Sequence, residues 1–336
     1  LPRIPAIALA VALLTLALAA CGEKSEDGTT AAQPLSLTLD FYPNPDPAGI
    51  YMAEKLGYFE EAGLDLEIQT PADPAAPLKL VAAGQSDLAI SYEPEVVLAH
   101  EKGLDTIAIA ALVNRPLTSM IWLGKSGIQG VADLKGKTVA TAGIPYQQAF
   151  LDTILGRAKL TANDVKEVNV GFGLLPALLS GSAEAMLGGF SNIEGVDLRM
   201  RGKDPVVTPV DQLGVPTYDE LVLVANRGAL ADDPEKFRLF IAALQRGTEA
   251  AVAQPGAATK AVLEANNDLE PKLTEAEVEA TLPILGARVD GQPYGYMDPA
   301  EWETFSGWMR DNELIGSLPQ PGDLLSNDYL AGEIPE

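Results

Sequence analysis

The sequence predicts an α/β fold of two similarly built halves, each a mainly parallel sheet flanked by helices. Three observations predict it. Strand-like runs alternate with helix-like runs from residue 35 onward, and a second set of the same kind begins near Val131. In addition, residues 178–186 echo residues 80–88, both reading helix, glycine, two residues, acid, strand. Strands that alternate with helices pair in parallel, because each helical crossover returns the chain to the same edge and covers a face of the sheet. A helix–Gly–strand step recurs in many α/β folds, so the echo adds to the alternation and does not replace it.

Each element follows from its residues. Leu35, Leu37, Leu39 and Phe41 alternate with Ser36, Thr38 and Asp40, the period of two of a half-buried strand. A helix over residues 49–61 leads past Gly63 into a second alternating run, Leu64, Leu66 and Ile68. A helix over residues 78–83 stops at Gly84 and hands over to an apolar strand at 87–91. The second set has a strand at 137–140, a helix at 147–157 and strands around Val168 and Met186. The chain returns through an apolar strand at 221–225 and ends in helices. Asp233-Pro234 starts one of these, with Pro at its first position and Phe237, Phe240, Ile241 and Leu244 on one face. Thr274 with Glu277 reads as a capping box for another.

Composition bounds the function. The 336 residues, 47% of them hydrophobic, suffice for two ordinary cores. Lys and Arg number 23 against 47 Asp and Glu, a net charge of −24, or −25 without Arg3. Such a charge repels phosphate backbones and anionic lipid surfaces, which excludes a nucleic-acid binder and a basic peripheral membrane protein. The one cysteine, Cys21, excludes an intrachain disulfide. The one histidine, His100, at a predicted helix end, excludes a multi-imidazole metal site and a Ser–His–Asp triad. Residues 130–138 contain Gly-Lys-Thr but make no phosphate loop: five residues rather than four separate Gly130 from Gly136, and the segment precedes a strand. No cofactor and no catalytic residue is expected.

Residues 6–20 are an uncharged apolar run, too short to span a bilayer and preceded by Arg3, as in a secretory signal. The run ends Leu18-Ala19-Ala20-Cys21, a lipobox, so residues 1–20 are expected to be a lipoprotein signal peptide and Cys21 the lipidated residue. An ordinary signal peptide with an incidental cysteine is the alternative. Residues 21–34, polar and ending in Pro, read as a flexible tether.

In open α/β sheets ligands sit beyond the carboxyl ends of strands. Four loops occupy such places: Asp40 to Asn44, Ser91 to Pro94, Thr141 to Tyr146, and Gly188 to Glu194. They offer aromatic faces, amides, hydroxyls and carboxylates but no Lys or Arg. Such a site suits a neutral or weakly basic heteroaromatic, its ring against Phe or Tyr and a ring amine donating to Glu or Asn. Helix N-termini keep an anion open as an alternative. Residue by residue a structural role fits as well: Phe41 as core, Glu93 and Glu194 as acids at helix starts.

These residues also carry a family resemblance. Leu39-Asp40-Phe41-Tyr42-Pro43-Asn44, Gly57-Tyr58-Phe59 with Gly63-Leu64, residues 87–94, Leu134-Lys135-Gly136-Lys137, Gly143-Ile144-Pro145 and residues 214–221 resemble solute-binding proteins of ABC importers. The branch they resemble includes binders of thiamin pyrimidine precursors and the thiamin-pyrimidine synthases, and the likeness covers residues 35–310. It implies a two-lobed type II periplasmic-binding fold, with residues 35–123 and 225–336 as lobe 1 and 124–224 as lobe 2. Crossover strands are expected near 122–125 and 223–226. Asp40, Phe41, Asn44, Ser91, Tyr92, Glu93, Gly143, Ile144, Asn192 and Glu194 are expected to bind the ligand, with Tyr218 and Glu220 near the return crossover.

The implied protein is not an enzyme. It is an extracytoplasmic, lipid-anchored monomer that binds a small heteroaromatic such as hydroxymethylpyrimidine or formylaminopyrimidine and delivers it to an ABC permease with its cytoplasmic ATPase. Two departures stand out: the family often has Trp at the place of Phe41 and His at the place of Pro47. In the synthase branch that histidine is consumed, and that branch's cysteine-rich motif is absent as well. Riboflavin is an alternative ligand. A sulfonate or nitrate would be favoured if Arg115 or Arg199 reached the cleft.

Overall fold

The computed structural model describes residues 32–286 and 291–331. The expected signal peptide, Cys21 and the tether through residue 31 lie outside the described residues. The end of the expected tether is already structured, since β1 (Gln33–Thr38) begins inside it.

β1 starts the first sheet, whose other strands are β2 (Leu64–Gln69), β3 (Leu88–Ser91), β4 (Thr106–Val113) and β10 (Leu221–Asn226), in the order β2-β1-β3-β10-β4. The second sheet holds β5 (Thr118–Leu123), β6 (Thr138–Thr141), β7 (Lys166–Asn169), β8 (Ala185–Phe190) and β9 (Pro205–Pro209), in the order β7-β6-β8-β5-β9. β1 is parallel to β2 and β3, and β6 to β7 and β8. The strand in fourth place, β10 or β5, runs antiparallel to both its neighbours. Each sheet is therefore mixed, parallel except for that one strand. The exception has a cause: β5 and β10 are the first strands the chain builds after changing sheets, and neither is reached through the helical crossover that sets a parallel direction.

The sheet changes come earlier than the expected 122–125 and 223–226. The chain leaves β4 at Val113 and enters β5 at Thr118, then leaves β9 at Pro209 and enters β10 at Leu221. Thr118–Leu123 is buried throughout and paired on both edges, so it belongs to lobe 2, and Leu221–Asn226 to lobe 1. The resemblance gave only approximate places, and a continuous apolar run reads alike as a buried strand or as a link, so the sequence pattern does not refine them.

The echo is structural. Gly84 and Gly181 both take the left-handed conformation after their helices, α3 (Pro77–Ala82) and α6 (Leu174–Ser180), at φ of 66° and 77°. The acid of each echo then accepts a backbone N–H from the neighbouring strand: Asp87 from Ser36 at 2.8 Å and Glu184 from Thr138 at 2.8 Å. The same device registers β3 against β1 and β8 against β6.

The helix expected over 49–61 is two, α1 (Ala48–Lys55) and α2 (Tyr58–Glu61), separated at Gly57. Asp233 caps α9 (Pro234–Ala253) through the N–H of Lys236, and Phe237, Phe240, Ile241 and Leu244 are buried, as the sequence predicts. The Thr274–Glu277 capping box does not form. Pro271 takes the first position of α11 (Pro271–Leu285) and Glu270 caps it through the N–H of Leu273, so Thr274 lies inside the helix and donates to the Glu270 carbonyl. The Glu-Pro step carried the same start signal as Asp233-Pro234. His100 sits in the last turn of α4 (Glu93–Glu101), at a helix end as expected. The other helices are α5 (Gln147–Arg157), α7 (Glu194–Met200), α8 (Arg227–Asp232), α10 (Pro255–Ala265) and α12 (Pro299–Asp311). Among the described residues no helix is long and apolar enough to cross a membrane.

Candidate functional site

Between the two sheets, at the carboxyl ends of their parallel strands, lies a cleft whose empty space, mouth included, is about 600 Å³. Lobe 1 contributes Asp40, Phe41, Asn44 and Asp46 after β1, Pro74 after β2 and Tyr92 after β3. Lobe 2 contributes Ala142, Ile144, Tyr146 and Gln147 after β6, Gly171, Phe172 and Leu174 after β7, and Gly188, Phe190, Ile193 and Glu194 around the end of β8. Thr118, where the chain first enters lobe 2, closes the floor. Among the described residues, the lining holds three carboxylates and no Lys or Arg. Arg115 and Arg199 are exposed and outside it.

Asp40 is buried and accepts the Tyr92 hydroxyl at 2.9 Å. Burial raises its carboxyl to about 6, against the downward pull of the Tyr92 hydroxyl and of nearby backbone N–H groups. Asp46 is raised well above the usual carboxylate range by burial and by the charge of Asp40. Glu194 accepts the Phe190 N–H at 2.7 Å, and burial raises it as well. Asn44 folds its own loop, accepting the Asp46 N–H at 2.7 Å and donating to the Tyr42 carbonyl at 3.0 Å.

Aromatic rings meet across the lobes at the mouth. Phe172 of lobe 2 lies edge-on to Phe41 at 4.7 Å between centroids and tilted against Tyr42 at 5.1 Å. Sequence reasoning placed a strand around Val168 but did not count the loop beyond it, with Phe172, among the cleft loops; the strand, Lys166–Asn169, is short and mostly exposed. The parallel-strand rule would have found it, since β7 flanks β6 in the sheet.

Of the residues singled out from sequence, Asp40, Phe41, Asn44, Tyr92, Ile144 and Glu194 border the cleft. The others lie beside or beneath it. Ser91 donates to Glu95 at 2.9 Å behind Tyr92. Gly143 holds a turn at φ 75° between lining residues Ala142 and Ile144. Asn192 bridges the lobes, donating to Asp46 at 2.6 Å and to Thr281 at 2.8 Å. Tyr218 and Glu220 belong to the second crossover, and Glu93, the first residue of α4, braces it. Glu93 accepts the Asp219 N–H at 2.7 Å, and Asp219 in turn accepts Asn114 at 3.1 Å and the Trp302 indole at 2.7 Å. Glu220 accepts the N–H groups of Leu117 and Thr118, each at 2.7 Å, with Tyr218 donating to it at 3.0 Å. The second crossover thus holds the first through buried side chains, which ties the two connections together beside the cleft floor.

The arrangement can hold a flat ring against aromatic faces while carboxyl groups engage its polar edge. Among the described residues it offers no side-chain cation to an anionic ligand.

Comparison with known proteins agrees with this geometry. Residues 44–258 match the family described as NMT1/THI5 like. A Haemophilus influenzae protein named for thiamine biosynthesis is 38% identical over 85% of this chain and 89% of that protein. The formylaminopyrimidine-binding protein of Halalkalibacterium halodurans is 34% identical over 91% of this chain and 94% of its own length. Relatives at 27% identity carry the name 4-amino-5-hydroxymethyl-2-methylpyrimidine phosphate synthase. In fold, the alkanesulfonate-binding protein SsuA of Xanthomonas axonopodis pv. citri superposes with a TM-score of 0.69 at 15% identity, over 87% of this chain and 98% of that one. With its two mixed five-stranded sheets and the cleft between them, the chain has the type II periplasmic-binding fold and belongs to the NMT1/THI5-like family.

Proposed function

We propose that this protein is an extracytoplasmic solute-binding receptor of an ABC importer, and that its ligand is an aminopyrimidine precursor of thiamin, of the formylaminopyrimidine or hydroxymethylpyrimidine kind. The single observation that carries this is a cleft without Lys or Arg among its described residues that combines cross-lobe aromatic rings with three carboxylates whose pKa values are raised. A carboxyl group that can hold a proton offers an O–H to a ring nitrogen and a carbonyl oxygen to the adjacent amine, which is the edge an aminopyrimidine presents. Phe41 and Phe172 supply the ring faces, Asp40 and Glu194 the polar edge, and Asn44, Tyr92 and Ile144 shape the remainder. The kinship with a formylaminopyrimidine-binding protein supports the same ligand class.

An anion fits poorly. At an effective dielectric of about 20, a sulfonate held about 6 Å from even one ionised carboxylate meets about 3 kcal/mol of repulsion, with no lining cation to offset it. Synthase chemistry is less well supported, since the relatives named as synthases are 27% identical whereas the one named as a binding protein is 34% identical. In this reading Cys21 carries the lipid that holds a monomeric receptor at the outer face of the membrane, and the closed form is what the permease recognises.

A thermal-shift series with hydroxymethyl- and formylaminomethyl-aminopyrimidines, riboflavin, taurine and nitrate tests the reading. A pyrimidine at a hundredfold over its Kd adds about 2.7 kcal/mol of stability. Stabilisation by taurine or nitrate alone would overturn it.

A further inference from the structure

The lobes meet a second time, away from the crossovers. α11 follows the return to lobe 1 and packs on α1, α9 and α10; its other side lies against α7 of lobe 2. Across this boundary the buried Glu277 of α11 faces Asp197 and Glu194 of α7, with Asp46 of lobe 1 beside them. Among the described residues, the cations on the packed elements are paired with a carboxylate or exposed. Arg201 pairs with Asp197 itself, Lys55 of α1 with Glu264 of α10, Arg246 and Lys236 of α9 with Glu61 and Asp87, and Arg238 with Glu235 of its own helix. Arg199 of α7, Lys260 of α10 and Lys272 of α11 are exposed, and the facing strand β4 carries no charged residue. Glu54 of α1 and Glu275 and Glu279 of α11 add only negative charge nearby. One turn along α11 from Glu277, Thr281 accepts from Asn192, whose amide also donates to Asp46, while the Asn192 carbonyl oxygen stays buried without a partner. The described seam thus holds acids, Asn192, Thr281 and the half-exposed Arg201 on Asp197, and it closes at the cost of burying Glu277 among like charges.

We propose that this seam makes closure of the cleft proton-linked: bringing α11 onto α7 requires Glu277 to hold a proton, and opening the lobes releases it. The proposal needs only the two-lobed fold and is independent of the ligand. In the closed arrangement burial, with the charges of Asp197, Glu194 and Asp46, raises the Glu277 carboxyl to about 8, whereas in an opened seam it returns toward the ordinary value of 4.5. The closed form therefore binds more protons between these values. Its population relative to the open form falls up to about tenfold per pH unit as pH rises through that window, and levels off above it.

Small-angle X-ray scattering of the ligand-free protein across this pH range reads the change as radius of gyration. The wild type is expected to expand as pH rises from about 5 to about 8, then to level off. Glu277→Gln, which keeps the volume and removes the Glu277 titration, should expand less than the wild type. Asp197→Asn, which removes one facing charge, should expand less than the wild type at the upper end. Circular dichroism establishes that each variant is folded, and either variant alone decides. A flat profile for the wild type, or an unchanged profile in a folded variant, overturns the proposal.

Discussion

Glu220 holds Thr118 at two points, accepting its backbone N–H at 2.7 Å and its hydroxyl at 2.9 Å. The two residues lie at the junctions where the chain enters each sheet after a crossover, one just before β10 and the other opening β5. Leu117 and Tyr218 donate to the same carboxylate. One buried side chain thus satisfies backbone groups that neither sheet could pair, and it fixes the relative placement of the two crossovers beneath the cleft.

Replacing Glu220 with Ala should therefore destabilise the protein markedly. It strands two buried N–H groups at about 1–3 kcal/mol each. The expected loss in urea unfolding is about 3 kcal/mol or more; a loss below about 1 kcal/mol would contradict the clasp.

The pH dependence of stability should run opposite to ordinary acid denaturation over the neutral range. Burial raises Asp40 to about 6, Glu95 and Asp219 to about 7 and Glu277 to about 8. A group whose native pKa is raised contributes stability that is fully present below its unfolded pKa and is lost as pH rises through its native value. Each contributes a slope of up to about 1.4 kcal/mol per pH unit between the two. Asp87, lowered by Lys236 and by Ser36 despite partial burial, acts in the opposite sense, but only under acid conditions. Scanning calorimetry should show Tm falling between about pH 5 and about pH 8; a Tm that rises across that interval would count against the buried neutral acids.

Phe172→Ala tests the mouth. Phe172 is half-buried, so the fold should lose at most about 1 kcal/mol. Loss of an aromatic face against the ligand should weaken pyrimidine binding by about 10- to 100-fold, read by titration calorimetry. An unchanged Kd would place the ligand away from the Phe41–Phe172 pair.

Gly143→Ala should damage both fold and site. The residue sits at φ 75°, and an added Cβ would lie 2.1 Å from the Asn169 side-chain nitrogen. Left-handed backbone alone costs about 1–2 kcal/mol for an L-residue, and the clash adds to it. A urea midpoint equal to that of the wild type would show that the loop relaxes freely.

Much of this was legible in the sequence because local patterns carried it. Leu35, Leu37 and Leu39 announced a strand by alternation, Asp233-Pro234 a helix start, and the two glycine–acid echoes a repeated step. Buried runs were not resolved in the same way: Thr118–Leu123 lacks alternation because both its faces are covered, so its pattern alone does not assign it to a sheet. The cleft loops were visible as a set of strand ends, but which side chains face the ligand depends on tertiary direction. Asn192 and Glu93 resemble Asn44 and Glu194 in type, yet one bridges the lobes and the other braces the crossover. Asp46 lies just past the Asp40–Asn44 loop and Phe172 beyond the short strand β7, and both line the site where the two lobes meet.

The measurement that tests the central claim most directly is calorimetric titration with formylaminomethyl-aminopyrimidine and, separately, with taurine, on the wild type and on Asp40→Asn. The account predicts one-site saturable binding of the pyrimidine, weakened in the variant, and no binding of taurine. Tight taurine binding with no heat from the pyrimidine would contradict it.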